Sequence, residues 1–366
     1  DGGTVSPRAS LSKTLRQSVS AYNCELAAGT LSPYEPGCVS LPTDQSAGCD
    51  LLESVEESVA RDVENFESCL LKSPEEISAL YDNTGSFCKA YHDPSFSDPY
   101  TWALFVKELY EAGLIGFSKT VRMVNGVFFV SKKAKRVNGK LIRRLRLILD
   151  ARNTNLLFRS PPRTLLGSIE SMSRLRLRNS RKRQESQGPQ NAPSAGDDSD
   201  HDNVDLSGID ADAVHDALFI FQEDVKDFFY RISIESIPGL SECFGLPEVD
   251  TYLLAHFFRK EGKAVPQDIL EYNVGDGLAH PRMIVLAMGW NWAFYLAQSV
   301  HEEVARRAAP EAPRLVDRQP VPALSSAQAC LMLYADSSEV NSMDGLSRLW
   351  EGARLRRLSE ALAAQR

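Results

Sequence analysis

The chain is expected to fold as an α+β protein with an antiparallel sheet backed by helices. Three observations predict this. Amphipathic helical stretches recur along the first third. Two runs rich in β-branched and aromatic residues flank a polar, glycine-containing segment, as in a β-hairpin. Two further short apolar runs, far apart in the chain, each end in an acidic residue.

The elements follow in order. Residues 1–48 are rich in Ser, Gly and Pro, show no sustained period and are expected to be disordered. From Leu52, the apolar residues Val55, Val59, Val63, Phe66 and Leu70 recur at three- and four-residue steps among acidic residues, which predicts one amphipathic helix. A second helix should start at Asp98-Pro99, where Asp can cap and Pro suits the first turn. It should run through Trp102, Phe105, Val106, Leu109 and Tyr110 to Gly113 or Gly116.

Val127–Val130 and Leu145–Leu149 are predicted strands around a long basic loop, Lys132 to Lys140. Residues 179–208 turn from basic to acidic with almost no large apolar side chain, and read as a disordered linker or insertion. A strand from about Ala217 should end at Asp224, helical sequence occupies roughly 247–260, and Trp290 to Arg307 reads as a long helix. A Pro-rich loop, Ala309 to Ser326, precedes a short apolar strand at Cys330–Tyr334, and Leu346 to Ala364 reads as a final helix.

Bulk properties narrow the function classes. A length of 366 residues permits a sizeable core and about two domains, and 43% hydrophobic with 25% charged residues argues against wholesale disorder. No apolar run approaches the roughly 20 residues that cross a bilayer, and the first residues lack the apolar core of a secretory signal. An intracellular protein without a membrane partner is expected, in nucleus or cytoplasm. The seven cysteines are scattered without a C-x-x-C pair and read as reduced structural thiols.

The net charge of −8 conceals an asymmetry. About twenty Lys and Arg lie between Lys119 and Arg183 against only Asp150 and Glu170, a local basic surface of the kind a polyanion needs.

Three segments carry candidate chemistry. Phe219-Ile-Phe-Gln-Glu-Asp224 delivers carboxylates at a strand end, followed by Asp227, Phe228, Phe229 and Tyr230. Leu286-Ala-Met288-Gly289-Trp290 is a loop with a glycine expected to begin a helix. Leu331-Met-Leu-Tyr334-Ala335-Asp336-Ser337 is an apolar strand ending in an acidic residue at a predicted tight turn. Carboxylates fixed at neighbouring strand ends are what a two-metal site requires, because two divalent ions must be held a few Å apart.

The order and content of these pieces resemble the reverse transcriptase family over roughly residues 97–340. Gly126 to Lys133 and Arg146-Leu-Ile-Leu-Asp150-Ala-Arg152-Asn153 are similar to the family's fingers hairpin. Asp224 to Tyr230 is similar to its first palm motif. The block around Gly289 resembles its template- and nucleotide-contacting motif, and Tyr334-Ala-Asp336-Ser337 its Tyr-x-Asp-Asp turn.

The resemblance implies a right-hand polymerase architecture. Residues 49–178 would form N-terminal helices and fingers, 209–345 the palm and 346–366 a C-terminal helix, with the thumb largely absent. It implies that Asp224 and Asp336 bind Mg²⁺ or Mn²⁺, and that Lys132 and Arg146 clamp the phosphates of a deoxynucleoside triphosphate. Asp227 would lie near the triphosphate tail, Phe229 would screen against a ribose 2′-hydroxyl, and Met288 and Gly289 would face the nucleotide. The partner would be an RNA or DNA template-primer.

Two departures matter. Ser337 stands where the family has a second aspartate, and a neutral hydroxyl is a poorer magnesium ligand than a carboxylate. Ala287 replaces the family's usual proline. The reading is therefore a DNA-synthesising domain with a degenerate third carboxylate, or a catalytically dead palm retained for nucleic-acid binding.

Overall fold

The computed structural model describes residues 31–42, 48–84, 88–137, 140–177, 219–324, 329–334 and 337–342. It is a mixed α+β structure whose larger sheets are antiparallel. Its described residues divide between two compact units. One draws on the chain up to Pro162 and on Asp227–Val300, the other on Arg163–Lys226 and on residues from His301 onward.

In the first unit a long two-stranded hairpin, Gly126–Val137 with Lys140–Asp150, is the main β element. Val127, Phe129, Leu145, Leu147 and Leu149 turn one face into the core, as the two-residue period of a half-buried strand dictates. The ladder continues through most of the basic stretch expected to be a loop, broken by an irregularity between Lys132 and Lys135. Polar composition misleads here, because the ladder of a hairpin is made by backbone hydrogen bonds between strands close in sequence, whatever the side chains.

The helix Pro99–Glu111 begins as its sequence predicts. The Asp98 carboxylate accepts from the backbone N–H of Tyr100 and Thr101 at 3.4 and 3.0 Å, and Pro99 needs no donor in the first turn. Its buried face carries Phe105 into an aromatic cluster with Phe96, Tyr34 and Phe129, at ring separations of 5.0, 5.2 and 5.3 Å. Each such side chain contributes on the order of 1.5–3 kcal/mol by leaving water.

Tyr34 belongs to the stretch expected to be disordered, and residues 31–42 correct that expectation. Ser32 donates to the Phe129 carbonyl at 3.0 Å along one edge of the hairpin. Along the other edge, Ser40 donates to the Leu145 carbonyl and Leu145 to the Cys38 carbonyl, both at 2.8 Å. Both edges are thus paired, which satisfies backbone groups that composition alone leaves open.

The helix expected from Leu52 is instead three short ones, Leu51–Ser54, Glu57–Glu64 and Phe66–Cys69. Val55, Val63, Phe66 and Leu70 are buried as the stripe predicts. Val55 and Glu56 adopt extended backbone, and a β-branched residue buried in that conformation interrupts the first turn.

A further antiparallel sheet of Ile115–Ser118, Leu278–Met283 and Val249–Asp250 escapes sequence reasoning. Its central strand contains Pro281, which lacks a ladder donor and ordinarily argues against a strand. The Pro281 carbonyl still accepts from Leu246 at 2.7 Å.

The helices Thr251–Lys260 and Ala293–Ala308 match those expected from the sequence. In the second unit, Ala329–Tyr334, Ser337–Ser342 and Phe219–Asp224 form an antiparallel sheet with Ser337–Ser342 central. The predicted linker 179–208 and final helix 346–364 lie outside the described residues. Among the described residues no helix is long and apolar enough to cross a membrane.

Candidate functional site

The candidate residues fall in both units. In the second, Asp224 closes its strand and Ser337 opens the central one, and the two are register partners across an antiparallel ladder. Tyr334 is the register partner of Ser337 on the other side. Only Ala335 and Asp336 join these two strands in the sequence, and both lie outside the described residues. The expected Asp224–Asp336 carboxylate pair therefore lies partly outside them. Among the described residues no cluster of three or more metal-ligating side chains occurs. By donor chemistry, the carboxylates of Asp224 and Asp336 and the Ser337 hydroxyl would suit a hard cation such as Mg²⁺ or Mn²⁺.

In the first unit the hairpin register decides which basic residues share a face. Lys132 pairs with Arg144 and Val130 with Arg146. Residues paired in register point to the same side, so Lys132, Arg144 and Arg146 line the face opposite Phe129 and Leu147. All three are half-buried, and Arg144 Nε donates to the Ser40 hydroxyl at 3.1 Å.

Asp227 has φ 57°, a left-handed backbone that non-glycine residues adopt at some cost, and leads into a single 3₁₀ turn, Phe228–Arg231. That turn buries Phe228 and leaves Phe229 half-buried. Burial pushes the Tyr230 phenol well above its ordinary range; the Asp227 carboxylate adds to this and Arg146 opposes it. Tyr230 thus lies within electrostatic reach of both Asp227 and Arg146.

Met288 and Gly289 form a turn docked on the end of the hairpin. Leu149 donates to the Met288 carbonyl at 3.0 Å. Gly289 has φ 123°, and a Cβ built on it would lie 2.3 Å from the Leu149 carbonyl oxygen. Gly289 does not begin the helix, as the sequence led us to expect; the helix starts at Ala293. The reason is packing. Trp290 first turns into an aromatic cluster, 5.2 Å from Phe158 and 4.9 Å from Phe244, so the chain cannot coil at once.

Sequence reasoning missed the segment that holds these parts together. Arg152–Leu157 is one short helix after the hairpin, and its first four side chains each grip a different stretch of chain. Arg152 clasps Asp150 through two bonds of 2.7 Å. Asn153 donates to the Cys88 carbonyl at 2.7 Å, and the Thr154 hydroxyl lies 2.8 Å from the Cys243 carbonyl. Asn155 Nδ2 donates to the Gly289 carbonyl, and Asn155 Oδ1 accepts from the Asn291 N–H, both at 2.9 Å. The only sequence signal is a polar run directly after a buried strand.

The Arg152 guanidinium holds the Asp150 carboxyl below the usual carboxylate range, with the Tyr91 and Arg152 backbone N–H groups adding to the effect. A depressed folded pKa contributes stability that is present above the unfolded value near 3.9 and lost as pH falls through the folded one. Asp150→Asn should therefore weaken the protein at neutral pH and flatten the acid limb of its stability curve. Urea titrations across the acid range measure this; parallel curves for the two proteins would refute it.

Compared with known proteins, the chain matches no protein-family model and no curated protein.

Proposed function

We propose that the chain is a reverse-transcriptase-like domain that adds deoxynucleotides to a primer on a nucleic-acid template. The observation that carries this reading is the register of the second unit's sheet. Asp224 at one strand end faces Ser337 at the next, directly after the Tyr334-Ala335-Asp336 turn sequence. Asp224 and Asp336 would hold Mg²⁺ or Mn²⁺, which when bound neutralises the triphosphate and activates the primer hydroxyl.

The hairpin supports the same reading, since Lys132, Arg144 and Arg146 share one face, suited to phosphate. Tyr230 lies within electrostatic reach of Arg146 and Asp227. Phe229, half-buried beside them, would disfavour a ribose 2′-hydroxyl, and Met288 and Gly289 would face the base pair.

A second reading rests on Ser337. With a hydroxyl in place of a carboxylate the site has lost a charge, and a chain retained to bind nucleic acid without synthesis accounts for that loss.

Both readings require a polyanion on the basic face, and anisotropy of a labelled RNA–DNA primer–template tests that. Three phosphate contacts lower affinity about 40-fold between roughly 50 and 200 mM salt, and Lys132→Ala with Arg146→Ala should flatten this slope by nearly two contacts. Salt-independent binding would overturn both readings. Primer extension with Mg²⁺ or Mn²⁺ then separates them.

A further inference from the structure

We infer that Asn155 is a positioning residue that sets the Met288–Gly289 turn for an incoming nucleotide. This rests on the polymerase reading above and adds to it a group outside the matched motifs. The primary amide of Asn155 reads a carbonyl and an N–H of the same turn at once, donating to Gly289 and accepting from Asn291, each at 2.9 Å. No other side chain of its size offers a donor and an acceptor in one plane without charge.

The clamp is specific to this turn. Its neighbours Asn153 and Thr154 bond to Cys88, Asn125 and Cys243, away from Gly289. A second tie fixes the same turn from the hairpin, where Leu149 donates to the Met288 carbonyl at 3.0 Å. Gly289 itself is exposed and Met288 half-buried, so the turn is held from beneath while its outer side stays open to solvent. The exposed backbone of a turn has few contacts to fix it, and an oriented amide beneath supplies the rigidity that nucleotide recognition demands.

Asn155→Ala removes both bonds. Asn155→Asp keeps the acceptor for Asn291 but sets a carboxylate oxygen against the Gly289 carbonyl. The test uses the full chain bound to oligo(dT) on poly(rA), titrated with deoxythymidine triphosphate and Mg²⁺. Loss of two hydrogen bonds predicts about 10-fold weaker triphosphate binding in Asn155→Ala, with primer–template affinity unchanged. Asn155→Asp should be at least as weak. Amide exchange at Asn291 should rise in Asn155→Ala, showing that the turn has been released.

A purely structural role would lower the melting temperature and leave triphosphate affinity alone. Equal triphosphate affinity in wild type and in folded Asn155→Ala or Asn155→Asp overturns the positioning role and leaves the polymerase reading standing. A wild-type complex that binds no triphosphate overturns the polymerase reading, and the positioning role falls with it, while protected Asn291 exchange would still report an intact clamp.

Discussion

Ser337→Asp is expected to raise primer extension by at least about 100-fold over the wild-type chain, the usual scale for one preorganised charged group at a reacting centre. The expectation follows from register. Ser337 is the ladder partner of Asp224, so the substitution would place a second carboxylate at the register position opposite Asp224. Among the positions matched by the resemblance, the sequence otherwise keeps Asp224, Asp336, Lys132, Arg146 and Phe229. The two carboxylates and the hydroxyl of the present chain would become three carboxylates, the hard oxygen donors that divalent cations prefer. Asp224→Asn in the rescued protein should abolish extension, because it would remove one of the proposed carboxylate ligands. Extension on an RNA template with Mn²⁺ and with Mg²⁺ measures both. A folded Ser337→Asp protein that binds primer–template yet extends nothing would leave the binding-only reading in place.

Gly289→Ala is expected to destabilise the first unit by about 3 kcal/mol, through two separate penalties. The backbone sits at φ 123°, where an L side chain is strained. The added Cβ would also lie 2.3 Å from the Leu149 carbonyl oxygen, and backbone cannot swing aside as a flexible side chain can. Relief requires lifting the turn off the hairpin. That would break the bond from Leu149 to Met288 and pull the Gly289 carbonyl away from Asn155. Urea unfolding at neutral pH measures the loss as a lowered midpoint at constant slope. A midpoint within experimental error of wild type would mean that the turn is not held as described. The resemblance implies a different reason for this glycine, a place facing the nucleotide. The structure adds an internal one, since the hairpin carbonyl already occupies the space.

What could be read directly from the sequence is what local chemistry decides. Asp98 and Pro99 announce a helix start because the cap and the fixed φ act within one turn. The hairpin strands and the strand ending at Asp224 are visible because β-branched and aromatic runs mark strands without knowledge of their partners. The candidate residues were also visible as a collinear set of motifs. Their grouping was not.

That Lys132, Arg144 and Arg146 share a face depends on register, which slips by a residue without any change in composition. The order of residues 31–42 depends on two open hairpin edges and an aromatic pocket for Tyr34, none of it encoded in that Pro- and Gly-containing stretch. The strand through Pro281 exists because partners on either side pair around the missing donor. The Asn155 clamp joins residues 134 apart in the chain. Apart from the hairpin register, which is a local pairing, these contacts are set by groups distant in sequence that meet only once the core has closed, so only the tertiary structure could decide them.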